Sequence, residues 1–123
     1  MINSINDDNH RFEIIQRFEH DDVNFQCDLM DVAWWKRPNL LATRFNVILP
    51  RFRSKVSLKL TNDNENLQTL TIRELRSNDS GVYECETLGA IRQFSLIVMG
   101  KFPLFSFVII FISLEILCQV KYR

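Results

Sequence analysis

Apolar and polar residues alternate along most of this chain with a period of two, which predicts strands rather than helices. The cleanest run is Val23-Asn24-Phe25-Gln26-Cys27-Asp28-Leu29, in which Val23, Phe25, Cys27 and Leu29 share one face. Val32 and Trp34 alternate in the next run, which ends at the turn residues Arg37-Pro38-Asn39. Further strands are predicted over 11–19, 40–49 (stopped by Pro50), 55–60, 67–72, 82–86 and 92–98. The polar stretch 61–66 between two of them is a solvated hairpin loop, and residues 1–10 are a polar, frayed lead. Short alternating runs separated by turn signals at these intervals predict an all-β sandwich.

One segment constrains the chain more tightly than periodicity does. From Leu70 to Cys85 the residues run L-x-I-x-x-L-x-x-x-D-x-G-x-Y-x-C. Leu70 and Ile72 alternate inward, Leu75 closes the bottom of the core, and Asp79 with Gly81 shapes a tight corner. Upstream, Cys27 and the V-x-W-x-K run Val32–Lys36 complete a Cys…Trp…Cys series.

Together these motifs resemble the immunoglobulin superfamily over residues 11–99, specifically a V-set-like or I-set domain with a Greek-key sandwich. The resemblance implies an intersheet disulfide between Cys27 and Cys85, with Trp34 packed on it and Trp35 facing outward. It also implies a tyrosine corner at Tyr83, whose hydroxyl bonds backbone upstream. A basic residue before the fifth long strand pairs with Asp79 in such domains, and Arg51, Arg53 and Lys55 compete for that role, Lys55 and Arg53 foremost. The step from Cys27 to Trp34 is only seven residues, shorter than V-set domains usually have, which trims one antigen-contacting loop. Such domains bind other proteins, often through the face of their last two strands, the tryptophan strand and the strand after it. By alternation that face shows Trp35, Phe45, Glu84, Glu86 and Gln93, an aromatic pair rimmed by charge. The implied function is recognition, by a protein ligand or by self-association.

Composition narrows the alternatives. The chain has 123 residues, enough for one domain with short appendages, and a formal net charge of zero, which removes the electrostatic case for nucleic acid. Its three cysteines divide into the Cys27–Cys85 pair and a lone Cys118. A bridge closing a loop of about 58 residues contributes about 3–4 kcal/mol in the chain-entropy model and argues for an oxidising compartment. His10 and His20 lie apart from any nucleophile, no catalytic motif occurs, and the acidic loop at 63–65 lacks calcium-site spacing. No enzyme, cofactor or metal is expected. Asn78-Asp79-Ser80 is an N-glycosylation sequon, open to modification if the domain is lumenal.

The tail changes the picture most. Residues 102–120 are strongly apolar, about 19 residues or roughly 28 Å as a helix, enough to span a bilayer core. The Leu, Ile, Phe and Val residues there favour insertion by roughly 4 to 8 kcal/mol, against up to about 3 kcal/mol for Glu115. Residues 121–123 then form a cytoplasmic stub, with Lys121 and Arg123 in keeping with that side of the membrane. The expectation is a single-pass plasma-membrane protein with its sandwich outside the cell. Glu115 is either an acid solvated near the headgroups or a contact to a transmembrane partner, and Cys118 is an apolar cysteine or a palmitoylation site. Met1 to His20 holds no apolar signal-peptide core, so a natural start further upstream is expected. The alternative is a soluble or structural immunoglobulin module from a larger or truncated chain, to which the tail is incidental.

Overall fold

The structure, a computed structural model, describes residues 4–6, 9–60 and 67–100; for 4–6 it describes the backbone alone. Among the described residues there are nine strands: β1 (Ser4–Asn6), β2 (His10–Phe18), β3 (Val23–Cys27), β4 (Ala33–Lys36), β5 (Asn39–Ala42), β6 (Val56–Leu60), β7 (Gln68–Ile72), β8 (Gly81–Thr87) and β9 (Ala90–Met99). They form a six-stranded sheet in the order β1-β2-β9-β8-β4-β5 and a three-stranded sheet in the order β3-β7-β6. All neighbours are antiparallel except β2 and β9, which run parallel over nine paired positions. Relative to the seven-strand constant-type plan, the larger sheet gains β5 beside the tryptophan strand.

The core follows the alternation. Val23, Phe25 and Cys27 are buried between exposed Asn24 and Gln26, and Gln68, Leu70 and Ile72 repeat the pattern on the paired strand β7. From the other sheet come Trp34, Tyr83, Cys85, Phe94 and Leu96. Cys27 and Cys85 are disulfide-bonded, linking β3 to β8 across the two sheets. Phe25 stacks within 5.0 Å of Phe94 and 5.1 Å of Tyr83, and Trp34 within 6.1 Å of Phe94, measured between ring centres. The fully buried Trp34 indole donates to Gln68 Oε1 at 3.1 Å, and Gln68 Nε2 donates to Asn46 Oδ1 at 3.0 Å. A buried indole N–H left without a partner is costly, so this chain of bonds secures the central tryptophan.

Two predicted elements differ. The strand expected over 40–49 stops at Ala42, and residues 43–47 turn instead, with an isolated bridge pairing Ala42 with Ile48. Thr43 Oγ1 accepts from the Phe45 and Val47 amides, offering the backbone partners that a ladder would otherwise supply. Asn46 adopts a left-handed conformation (φ 65°), which Asn tolerates better than most residues. The lead expected to be frayed carries β1, which pairs with Arg11–Glu13, so β2 lies inside the sheet there rather than at its edge. The hairpin loop at 61–66 lies outside the described residues, as does the predicted membrane span at 102–120. Among the described residues no helix is long and apolar enough to cross a membrane.

Candidate recognition face

The tight corner is built first, because it fixes where β8 begins. Tyr83 Oη donates to the Asp79 carbonyl at 2.6 Å, and Asp79 Oδ2 accepts from the Arg76 amide at 2.8 Å. Lys55 supplies the basic partner, with Nζ 2.8 Å from Asp79 Oδ2 and also donating to the Glu74 carbonyl at 2.7 Å. Arg53 is engaged differently, its carbonyl accepting from Arg73. Gly81 follows with φ 143°, a conformation that L side chains rarely adopt, and a Cβ there would come within 3.1 Å of Lys36 Cε. Burial, helped by the Asp79 charge, holds the Tyr83 phenol well above its ordinary pKa. Lys36 Nζ donates to the Asn78 carbonyl at 3.0 Å, and desolvation depresses its pKa despite the attraction of Asp79.

Since Tyr83 and Cys85 point inward, Val82, Glu84 and Glu86 face out from the larger sheet, and Trp35 does the same on β4. Glu84 is paired in register with both Trp35 and Gln93. The sheet thus brings Trp35, Glu84, Glu86 and Gln93 together, and Arg37 completes the group. Its guanidinium lies 4.0 Å from the Trp35 ring centre, while Nη2 is 3.0 Å from Glu86 Oε1 and Nε is 3.6 Å from Glu84 Oε1. This cover leaves Glu84 only 7% exposed and Trp35 half-buried, with the Trp35 Nε1 donor buried and unpartnered among the described residues. Gln93 accepts from His10 Nε2 on β2, so the polar row continues onto a fourth strand. Ile14, Val82 and Ile97 are large apolar residues exposed on the same sheet.

Phe45 does not join this group. It lies on the turn at 43–47 and is 87% exposed, and the ladder places Leu40 opposite Trp35 instead. Phe45 belongs with Met30 and Leu88, large exposed side chains on the loops that adjoin β3, β5 and β8 at one end of the sandwich. Asn78 is exposed in a short 3-10 turn (Ser77–Asp79). Glu115 and Cys118 lie outside the described residues.

Arg37 is the residue that the sequence reading passed over, taken as part of a turn. The signal was present: it stands two positions after Trp35 and therefore shares its face. A second ion pair was also missed. Arg92, 7% exposed, donates from Nε to Asp28 Oδ1 at 2.8 Å, and Arg11 Nη1 lies 3.2 Å from the other carboxylate oxygen. The Arg92 hydrogen bond holds the Asp28 carboxyl below its ordinary pKa.

The face is broad, and its charges are paired rather than converging on a pocket. Among the described residues no cluster of His, Cys, Asp or Glu could hold a metal ion. Two packed sheets, a disulfide between them, the buried tryptophan against it and the tyrosine corner are now in place. The domain has the immunoglobulin fold. No protein-family model and no curated protein matches the chain, whereas solved structures do. The first immunoglobulin domain of the mouse polymeric immunoglobulin receptor matches with a TM-score of 0.61 and 20% identity, over 74% of this chain and 93% of that one. The RIG-5 IG1 homodimer gives 0.57 at 28% identity, over 69% and 88%. The ZIG-8 IG1 homodimer gives 0.60 at 19% identity, over 72% and 79%.

Proposed function

We propose that this chain is a membrane-anchored recognition or adhesion protein whose immunoglobulin domain pairs with another immunoglobulin domain, a second copy of itself included. The pairing surface is the outer face of β9, β8, β4 and β5. The observation that carries this reading is the Arg37 guanidinium stacked on Trp35 and bracketed by Glu84 and Glu86, beside exposed Val82 and Ile97. An aromatic–Arg centre flanked by apolar side chains is the composition of an interface hot spot. The RIG-5 and ZIG-8 domains of similar fold are homodimers, which supports a second copy as the first partner to test. The apolar run at 102–120 supplies the anchor, and Glu115 within it is suited to an oppositely charged residue of a transmembrane partner. In that orientation the domain is outside the plasma membrane, and Asn78 is exposed for glycosylation.

Anchoring is tested by adding a signal peptide and an N-terminal epitope and staining intact, unpermeabilised cells. Staining of the surface is the expected result. Protein in the medium would mean that the tail does not anchor and that the domain is a soluble module. Pairing is tested by sedimentation of the full chain in detergent, where Trp35→Ala is expected to weaken self-association at least about tenfold, some 1.4 kcal/mol. Unchanged association would exclude this face.

A second reading rests on Met30, Phe45 and Leu88, which expose apolar surface on three neighbouring loops. If pairing survives Trp35→Ala but is lost with Phe45→Ser and Leu88→Ser, the loop end is the contact.

A further inference from the structure

The Asn78-Asp79-Ser80 sequon is built into the tight corner, and each of its three residues is held by a different part of the sandwich. The Asn78 carbonyl accepts from Lys36 Nζ at the end of β4, at 3.0 Å. The Asp79 carbonyl accepts from Tyr83 Oη on β8, while the Asp79 carboxylate is tied to the Arg76 amide and to Lys55. Ser80 Oγ accepts from the Val98 amide on β9 at 2.9 Å, and the Ser80 amide closes the turn onto the Ser77 carbonyl at 3.2 Å. Asn78 is nevertheless exposed, so the folded corner has room for a glycan.

Glycan transfer needs more than an exposed amide. Asn Nδ2 attacks the anomeric carbon of a lipid pyrophosphate-linked oligosaccharide: a C–N bond forms and the C–O bond to the pyrophosphate breaks. The amide gives up one proton and the lipid pyrophosphate leaves. The transferase takes the tripeptide as an extended segment and grips the hydroxyl two positions beyond the Asn. A 3-10 turn whose Ser hydroxyl is engaged by a β9 amide meets neither demand. We propose that Asn78 is an acceptor only while this corner is open, and that docking of β9 closes it to the transferase. In the outward-facing placement proposed above, on which its use in cells rests, Asp79 and Ser80 enter the lumen with Asn78 ahead of Val98. Ser80 precedes Val98 by 18 residues, about 1–4 s of synthesis. Disulfide formation takes seconds or longer, so closure competes with transfer on one timescale. A chain modified in that interval folds with its glycan outward, and a chain that closes first stays bare. The same sequence then exists as two stable glycoforms, their ratio set by how fast β9 docks.

The test incubates the unglycosylated full chain, in detergent, with a purified single-subunit oligosaccharyltransferase and a lipid-linked oligosaccharide. A synthetic peptide of residues 75–82 in the same reaction reports the activity of the enzyme. The comparison chain carries Trp34→Ala with its cysteines alkylated, and loss of near-ultraviolet circular dichroism shows it to be unfolded. The peptide and the unfolded chain are expected to be modified at Asn78, and the folded chain at least tenfold more slowly. Tyr83→Phe, which stays folded but loosens the corner, is expected to raise the folded-chain rate about fivefold, equivalent to about 1 kcal/mol. Equal rates for folded and unfolded chains would overturn the proposal, as would a folded-chain rate indifferent to Tyr83→Phe. Failure of the unfolded chain and the peptide to accept glycan would overturn it too, because the sequon would then be no acceptor. None of these outcomes depends on where the chain resides in cells, so they stand apart from the surface-staining result.

Discussion

Trp34 and Trp35 are adjacent, yet their environments separate what each does. Trp34 is fully buried against Phe94 with its indole bonded to Gln68, so Trp34→Ala is expected to cost about 3–5 kcal/mol, measured by urea unfolding. Trp35 stands on the outer face beneath Arg37, and its loss should act mainly on association. Tyr83 offers a sharper check. Its bond to the Asp79 carbonyl contributes about 1 kcal/mol, so Tyr83→Phe is expected to lower stability by that amount at pH 7. The folded phenol keeps its proton above the pH at which the unfolded phenol releases it. The stabilisation is therefore complete below about pH 10 and falls as pH rises beyond it. Tyr83→Phe should flatten that alkaline decline. At this scale the roles of Trp34 and Tyr83 were legible through the resemblance of the spaced motif to the immunoglobulin superfamily. Arg37 was masked by its neighbour Pro38, which marks a turn more strongly than a period of two marks a face.

Strand alternation placed β3 and β7 almost to the residue, because each has one face in the core and one in solvent. It failed over 40–49, where apolar residues continue but the chain turns. Thr43 and Asn46 decide that outcome locally, through hydroxyl bonds to backbone amides and a left-handed φ. The buried Gln68 then holds Asn46 in place. Asn46→Val is expected to destabilise by about 2–3 kcal/mol, combining left-handed strain in a β-branched residue with loss of the Gln68 bond. Asn46→Gly keeps the backbone conformation and should cost about 1 kcal/mol; equal effects would argue against this account of the turn. The pairing of β1 was not legible either. Residues 4–6 have no apolar alternation to mark a strand, and only their hydrogen bonding to β2 defines one.

For the molecule as a whole, the disulfide, the aromatic core and the tight corner make one cross-linked sandwich. The Cys27–Cys85 bridge closes a separation of 58 residues. Reduction is expected to lower stability by about 3–4 kcal/mol, seen as an earlier urea midpoint with reductant present. Fold class was readable from the chain because its signature residues are those that build the core. The proposed recognition face was readable only in part, since contacts among exposed side chains leave no periodic trace. Partner identity leaves less still: interface specificity in general resides in a few side chains whose meaning depends on the opposing surface. The most direct measurement mixes two differently coloured cell populations displaying this chain behind a signal peptide, with surface levels matched by epitope staining. The account predicts mixed clusters that disperse when both populations carry Trp35→Ala. Cells that never cluster, or clusters indifferent to Trp35→Ala at equal display, would contradict it.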